Sequence, residues 1–148
     1  MAATSDMLRF GSDYARACHA HAKALAEAFH REGLTVAGYA QGSTHGHMLA
    51  LDVRELGMAR AAALALESAH IICNFNLLPW DPLKIARNPS GLRLAVHEIT
   101  RWGMGEEEIP VIAEFFRQVL LDGKSPAKVR PVVKEFKERF DRLHYCFA

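Results

Sequence analysis

The chain is short of cysteine, of net charge and of long apolar runs, and each shortage removes a class of protein. Its three cysteines, Cys18, Cys73 and Cys146, are odd in number, far apart and in no C-x-x-C pair. That spacing excludes a disulfide framework and reads as reduced thiols in a reducing compartment, with Cys18 and Cys73 expected to be buried and structural. A formal net charge of +1 argues against a general nucleic-acid binder, because phosphate affinity needs a concentrated positive field. It suggests neither an acidic tail nor a membrane-surface protein. No apolar run approaches the roughly 20 residues that span a bilayer, and the opening MAATSDMLRF lacks the basic-then-apolar pattern of a secretory signal. A cytoplasmic location is the expectation. At 148 residues, half of them hydrophobic, the chain is long enough to bury a core as a single domain over 1–148, but short for an independent two-domain enzyme.

Apolar periodicity predicts a helix from Asp13 to Glu32, through Tyr14, Cys18, His21, Leu25 and Phe29, with a cap at Ser12 or Asp13 and a stop at Gly33. Short strands follow at Leu34 to Ala40 and His47 to Val53, joined by the loop QGSTHG. An alanine-rich helix is expected over Gly57 to Ala69, with Met58, Ala62, Ala65, Leu66 and Ala69 inward, then a strand at Ile71 to Phe75. The loop NLLPWDPLKIARNP holds Pro79, Pro82 and Pro89 and cannot be regular throughout. A strand from Leu92 to Val96 precedes a helix that opens on the acidic turn Glu106 to Glu108 and runs towards Asp122. Ser125 and Pro126 begin a last helix, about 125–143, with the stripe Val129, Val133, Phe136, Phe140 and Leu143, its first turns bent or delayed by Pro131. With the domain's core at about 12–122, the order α-β-β-α-β-β-α-α predicts an α+β fold, a small mixed or antiparallel sheet covered by helices as a two-layer sandwich.

The segment SGLRLAVHEITRWGMGEEE, Ser90 to Glu108, carries the candidate chemistry. In an extended segment Leu92, Leu94 and Val96 point one way and Arg93 the other, between the small Gly91 and Ala95. The space above that guanidinium suits a carboxylate or phosphate, and a bidentate pair contributes about 1.5–3 kcal/mol. Taken alone, Arg93 also fits a solvated arginine on a half-buried strand. His45 and His47 lie at period two and invite a metal reading with Cys73, but no Asp or Glu completes a set nearby, so no metal site is expected. His19 and His21, two apart on a helix, point to different sides. Trp80 and Trp102 read as packing aromatics or interface anchors. The basic residues of the last helix, Lys124 to Arg142, have no aromatic platform beside them and read as a solvated face rather than an RNA contact.

The strings HAKALAEAF, HMLALDVRE, CNFNLLPWDP and SGLRLAVHEITRWGMGEEE, in this order and spacing, resemble the C-terminal small domain of serine hydroxymethyltransferase and related fold-type I pyridoxal-phosphate enzymes, over most of the chain. TRWGM looks most like the archaeal-type hydroxymethyltransferases and the related threonine transaldolases. The resemblance implies that Arg93, in the S-G-[IL]-R segment, holds the α-carboxylate of an amino-acid substrate, and that Asn76 matches the asparagine near the pteridine in folate-dependent members. His97, directly after the Arg93 strand, is a further candidate contact to substrate or partner. Two departures, Phe75 where the family's N-K-N has lysine and Ala95-Val96 where it has G-T, bear on tetrahydrofolate use more than on carboxylate binding. The family's catalytic lysine belongs to a T-T-H-K type motif of the large domain, and no such segment occurs here: Lys23 and Lys137 lie on helix patterns and Lys84 in the proline-rich loop. The implied protein is therefore the small subunit of a two-component enzyme acting on the Cα–Cβ bond of β-hydroxy-amino acids, inactive alone, its pyridoxal phosphate bound by a large-domain partner chain. The alternative is a non-catalytic regulatory or binding domain that docks on such an enzyme.

Overall fold

A computed structural model describes residues 2–147, with side chains described from residue 4. Helix α1 runs from Ala2 to Arg31, strand β1 from Met48 to Asp52, α2 from Ala59 to Ser68, β2 from Asn74 to Asn76, β3 from Gly91 to Ala95, α3 from His97 to Arg101, α4 from Ile109 to Leu120 and α5 from Pro126 to Glu138. The sheet is wholly antiparallel with order β1-β3-β2, so the α+β expectation holds. Its pleat sends Leu49, Leu51, Leu92 and Leu94 to one face, where all four are buried. Phe29 of α1 and Phe116 of α4 meet edge-on in the same core, with centroids 4.9 Å apart. Burying each such side chain contributes about 1.5–3 kcal/mol. Phe136 of α5 packs on Phe115 at 5.5 Å.

Several boundaries differ from the sequence expectation, and each has a local cause. Helix α1 begins at Ala2, not Asp13; Ser12 and Asp13 lie inside it, with their side chains turned to Arg16. The added turns are held by residues distant in sequence: Phe10 against the Phe147 ring at 5.1 Å, the Phe147 N–H donating to Asp6 at 3.1 Å, and Asp6 paired with Arg101 at 3.2 Å. The strand expected at Leu34 to Ala40 is reduced to one bridge, Val36 to Leu51. Gly38, at φ 70, turns the chain off the edge of β1 into a short 3-10 turn, Tyr39–Gln41. Strand β2 lies three residues later than expected at its start, since His70 takes φ 64 and the chain pairs with β3 only from Asn74. Val96 drops to ψ −4 and ends β3, so His97 opens a helix rather than a loop. The acidic turn precedes α4 rather than forming its first turn, Glu108 accepting the Gly105 N–H at 2.8 Å. Helix α5 ends at Glu138 rather than 143, leaving Leu143 exposed. Pro131 sits inside α5 on an exposed position.

His21 of α1 is buried and ties the helical layer to the end of β3. Its Nδ1 lies 2.8 Å from the Thr100 hydroxyl, which donates to the Val96 carbonyl at 2.8 Å. That hydroxyl has one proton, so His21 supplies the other as a neutral ring protonated on Nδ1. Burial pushes the His21 pKa down, against the smaller opposing pull of Glu106 and Glu108. Among the described residues no helix is long and apolar enough to cross a membrane.

Candidate functional site

The face of the sheet turned away from the helices carries Met48, Ala50 and Asp52 from β1, Gly91, Arg93 and Ala95 from β3, and Asn74 and Asn76 from β2. Arg93 is at its centre, on the middle strand, with Ala50 directly across on one side and Asn74 on the other. A methyl on one flank and a short amide on the other leave the guanidinium standing clear. It is exposed, and no hydrogen-bond or ion-pair partner meets its side chain among the described residues. Arg54, Arg101 and Arg117, by contrast, are each committed to carboxylates. An unpaired fork between short neighbours is ready for an external anion, and two parallel N–H···O bonds are the arrangement its geometry favours.

The open face has a wall at one end. Leu78, 5% exposed, lies so close over Gly91 that a Cβ there would stand 2.6 Å from it. Asp52, in the row next to Arg93, accepts the Trp80 indole N–H at 3.2 Å and the Arg54 backbone N–H at 3.0 Å. Trp80, half exposed, is thereby held by its polar edge at the rim. Beneath the rim, burial by itself would raise the Asp81 pKa. Hydrogen bonds from the Ser90 hydroxyl and the Leu78 and Ser90 N–H groups, with the Arg54 charge, outweigh it and hold the carboxyl below its ordinary value. At the other end of the face, the Val96 N–H donates to the His47 carbonyl at 3.0 Å. There the His47 and His97 rings meet edge-on at 5.7 Å.

Of the expected site residues, Arg93 and Asn76 share this face, but the residue opposite Arg93 is Asn74; Asn76 stands two pairs further along the ladder, opposite Gly91. Its main-chain neighbour's N–H occupies the Asn74 amide oxygen at 2.9 Å, which leaves the NH₂ group free to donate outward. His97 lies beyond the end of β3, exposed, its carbonyl accepting the Tyr14 hydroxyl at 2.8 Å. Sequence reasoning missed Asn74 because only the strand register chooses between the two asparagines of CNFN. It missed Asp81 because Ser90 and Arg54, nine and 27 residues away, meet that side chain only in the fold.

Among the described residues no group of three His, Cys, Asp or Glu side chains converges as a metal site. Cys73 is pushed up to about 11 by burial first and by Glu67 second, so it is a poor nucleophile at neutral pH. Lys23, Lys84, Lys124, Lys128, Lys134 and Lys137, all the lysines of the chain, are exposed. None is enclosed in the desolvated pocket that a Schiff-base lysine requires.

A family model described as serine hydroxymethyltransferase matches residues 2–116. The serine hydroxymethyltransferase of Korarchaeum cryptofilum is 49% identical over 148 residues, covering 98% of this chain and 34% of its own length. That of Staphylothermus marinus is 46% identical over 142 residues, covering 96% and 32%. Among solved structures, L-threonine transaldolase from Pseudomonas fluorescens superposes with a TM-score of 0.85 at 30% identity, over 99% of this chain and 33% of that one. The chain thus spans about a third of the length of the relatives it matches.

Proposed function

Given that the chain belongs to the serine hydroxymethyltransferase family, we propose that it is the carboxylate-binding part of a pyridoxal-phosphate enzyme. In this reading it acts in the cytoplasm on the Cα–Cβ bond of β-hydroxy-amino acids, completed by a companion large-domain chain that carries the lysine. The observation that carries this reading is the unpaired Arg93 at the centre of an open sheet face, in the S-G-L-R segment whose arginine the family resemblance makes the substrate clamp. Pyridoxal phosphate, when bound, supplies an electron sink for the bond broken at Cα. The residues present here do not fit that group by themselves, every lysine being exposed. No chemical step is therefore placed on this chain.

What the chain's own residues do is bind and orient. Arg93 donates to both oxygens of the α-carboxylate and so fixes the rotation of the substrate about Cα, which aligns the breaking bond and removes orientational entropy before reaction. Asn74 and Asn76 offer amide donors and acceptors along the same edge, Asn76 being the matching position for a pterin contact. His97 stands at the far end of β3, where it meets either the partner chain or the outer part of the substrate. The open face as a whole is the surface laid against the companion, which excludes water from the clamp and strengthens its charge–charge contact.

Mixing tests the proposal. The purified chain alone is expected to show no visible absorbance with pyridoxal phosphate and no cleavage of threonine or serine. Addition of the companion is expected to produce both. Full activity of the companion alone would replace this reading with that of a docking or regulatory domain. Stoichiometric cofactor bound to the isolated chain would also overturn it.

A further inference from the structure

Asp81 lies in the connection between β2 and β3, its side chain only 1% exposed, and it spends its carboxylate on the two ends of that connection. Oδ2 accepts the Leu78 N–H and the Ser90 N–H, each at 3.0 Å, while Oδ1 accepts the Ser90 hydroxyl at 2.6 Å and lies 3.5 Å from the Arg54 guanidinium. Ser90 is fully buried, and its carbonyl accepts the Val53 N–H at 2.9 Å. The preceding carbonyl, that of Pro89, accepts the Ala59 N–H at the start of α2, also at 2.9 Å. The residue before Gly91 is therefore gripped on both sides.

The register of this part of the sheet needs such a grip. Strand β2 is three residues long, lies at an edge, and is exposed at every position, so its own ladder and burial specify pairing weakly. Slipping by one residue would turn its side chains to the opposite face; slipping by two would put a different residue across from Arg93. Leu78 stands two residues beyond Asn76 and Ser90 one before Gly91, the pair that ends the ladder. Holding both N–H groups on one oxygen leaves no slack for either slip.

We propose that Asp81 is a positioning residue for Arg93. By closing the Leu78–Ser90 connection on a single buried carboxylate, it sets the register that places Asn74 and Arg93 side by side on the open face. The consequence for substrate rests on the reading of Arg93 as the carboxylate clamp; the consequence for the strand does not.

Two measurements separate the two. In the isolated chain, Asp81→Ala is expected to speed amide hydrogen exchange at Ser90 and along β2 and β3 by roughly tenfold to a hundredfold, with Phe29 and Phe116 still protected. Asp81→Asn should restore much of the protection, because its carbonyl can still receive both N–H groups. If Asp81→Ala does not fold, Ser90→Ala removes the hydroxyl bond alone and is expected to give a smaller acceleration at the same amides. Unchanged exchange along β2 and β3 in a folded Asp81 or Ser90 variant would overturn the proposal.

In the assembled enzyme, the same substitutions should raise KM for the amino acid at least tenfold in the folded fraction, with a smaller change in kcat and partial recovery in Asp81→Asn. A purely structural role would lower the amount of active protein and leave KM alone, which would also refute positioning. If the wild-type pair turns over no amino acid, the proposed function falls while the exchange comparison still decides what Asp81 does.

Discussion

Gly91 has a negative or extended φ that alanine tolerates, so replacing it tests contact alone. A Cβ at this position would stand 2.6 Å from the Leu78 Cδ2 and 2.7 Å from the Asn76 carbonyl oxygen. Leu78 is a flexible side chain but a buried one, and the Asn76 oxygen is backbone of the neighbouring strand, so relief requires β2 to move away from β3. Overpacking of this kind costs about 1–3 kcal/mol. The lower chain entropy of unfolded Gly91→Ala returns about 0.4–1 kcal/mol, which leaves a net loss of roughly 1–2 kcal/mol. For a chain of this size that lowers Tm by about 3–7 °C. Gly46→Ala is the control, with open space around the added methyl and an expected Tm at or slightly above wild type. Thermal unfolding followed by circular dichroism reads both. A Gly91→Ala protein as stable as the Gly46→Ala control would refute the packing of Leu78 over the sheet, and with it the wall of the candidate site.

Arg93→Ala should leave Tm within about 2 °C of wild type, since the side chain has no partner to lose, while raising KM of the assembled enzyme for its amino acid by roughly 10- to 100-fold. Arg93→Lys should recover only part of that loss, because one ammonium cannot reproduce the fork; unaltered kinetics in Arg93→Ala would remove the clamp role. The depressed His21 pKa carries a pH signature. Its unfolded-state proton binding begins near the ordinary value of about 6.5, whereas the folded ring resists protonation. His21 therefore contributes a loss of stability as pH falls below about 6.5, continuing down to its folded pKa. Urea unfolding at pH 7.5 and 5.5 should show a steeper loss for wild type than for His21→Phe; parallel losses in the two proteins would contradict a neutral buried ring.

Much of this protein is written in local pattern. Burial of Leu92, Leu94 and Val96 with Arg93 exposed follows from strand alternation alone, and the stop at Gly33, the alanine-rich helix and the Ser125–Pro126 start needed only spacing and turn chemistry. The type of fold is legible in the order of elements along the whole chain, and the candidate anion clamp in one short segment. What the chain's periodicity does not contain is decided by contacts distant in sequence. The first turns of α1 exist because Phe147 and Arg101 fold back on them; the strand expected after Gly33 fails because Gly38 leaves the edge of β1; and the choice of Asn74 over Asn76 beside Arg93 is a matter of register. Register has no signature within a three-residue strand, where every side chain is solvated and burial cannot distinguish one alignment from the next. It is set instead by Asp81, a buried charge that must collect every donor within reach, and those donors converge on it only when the chain is folded.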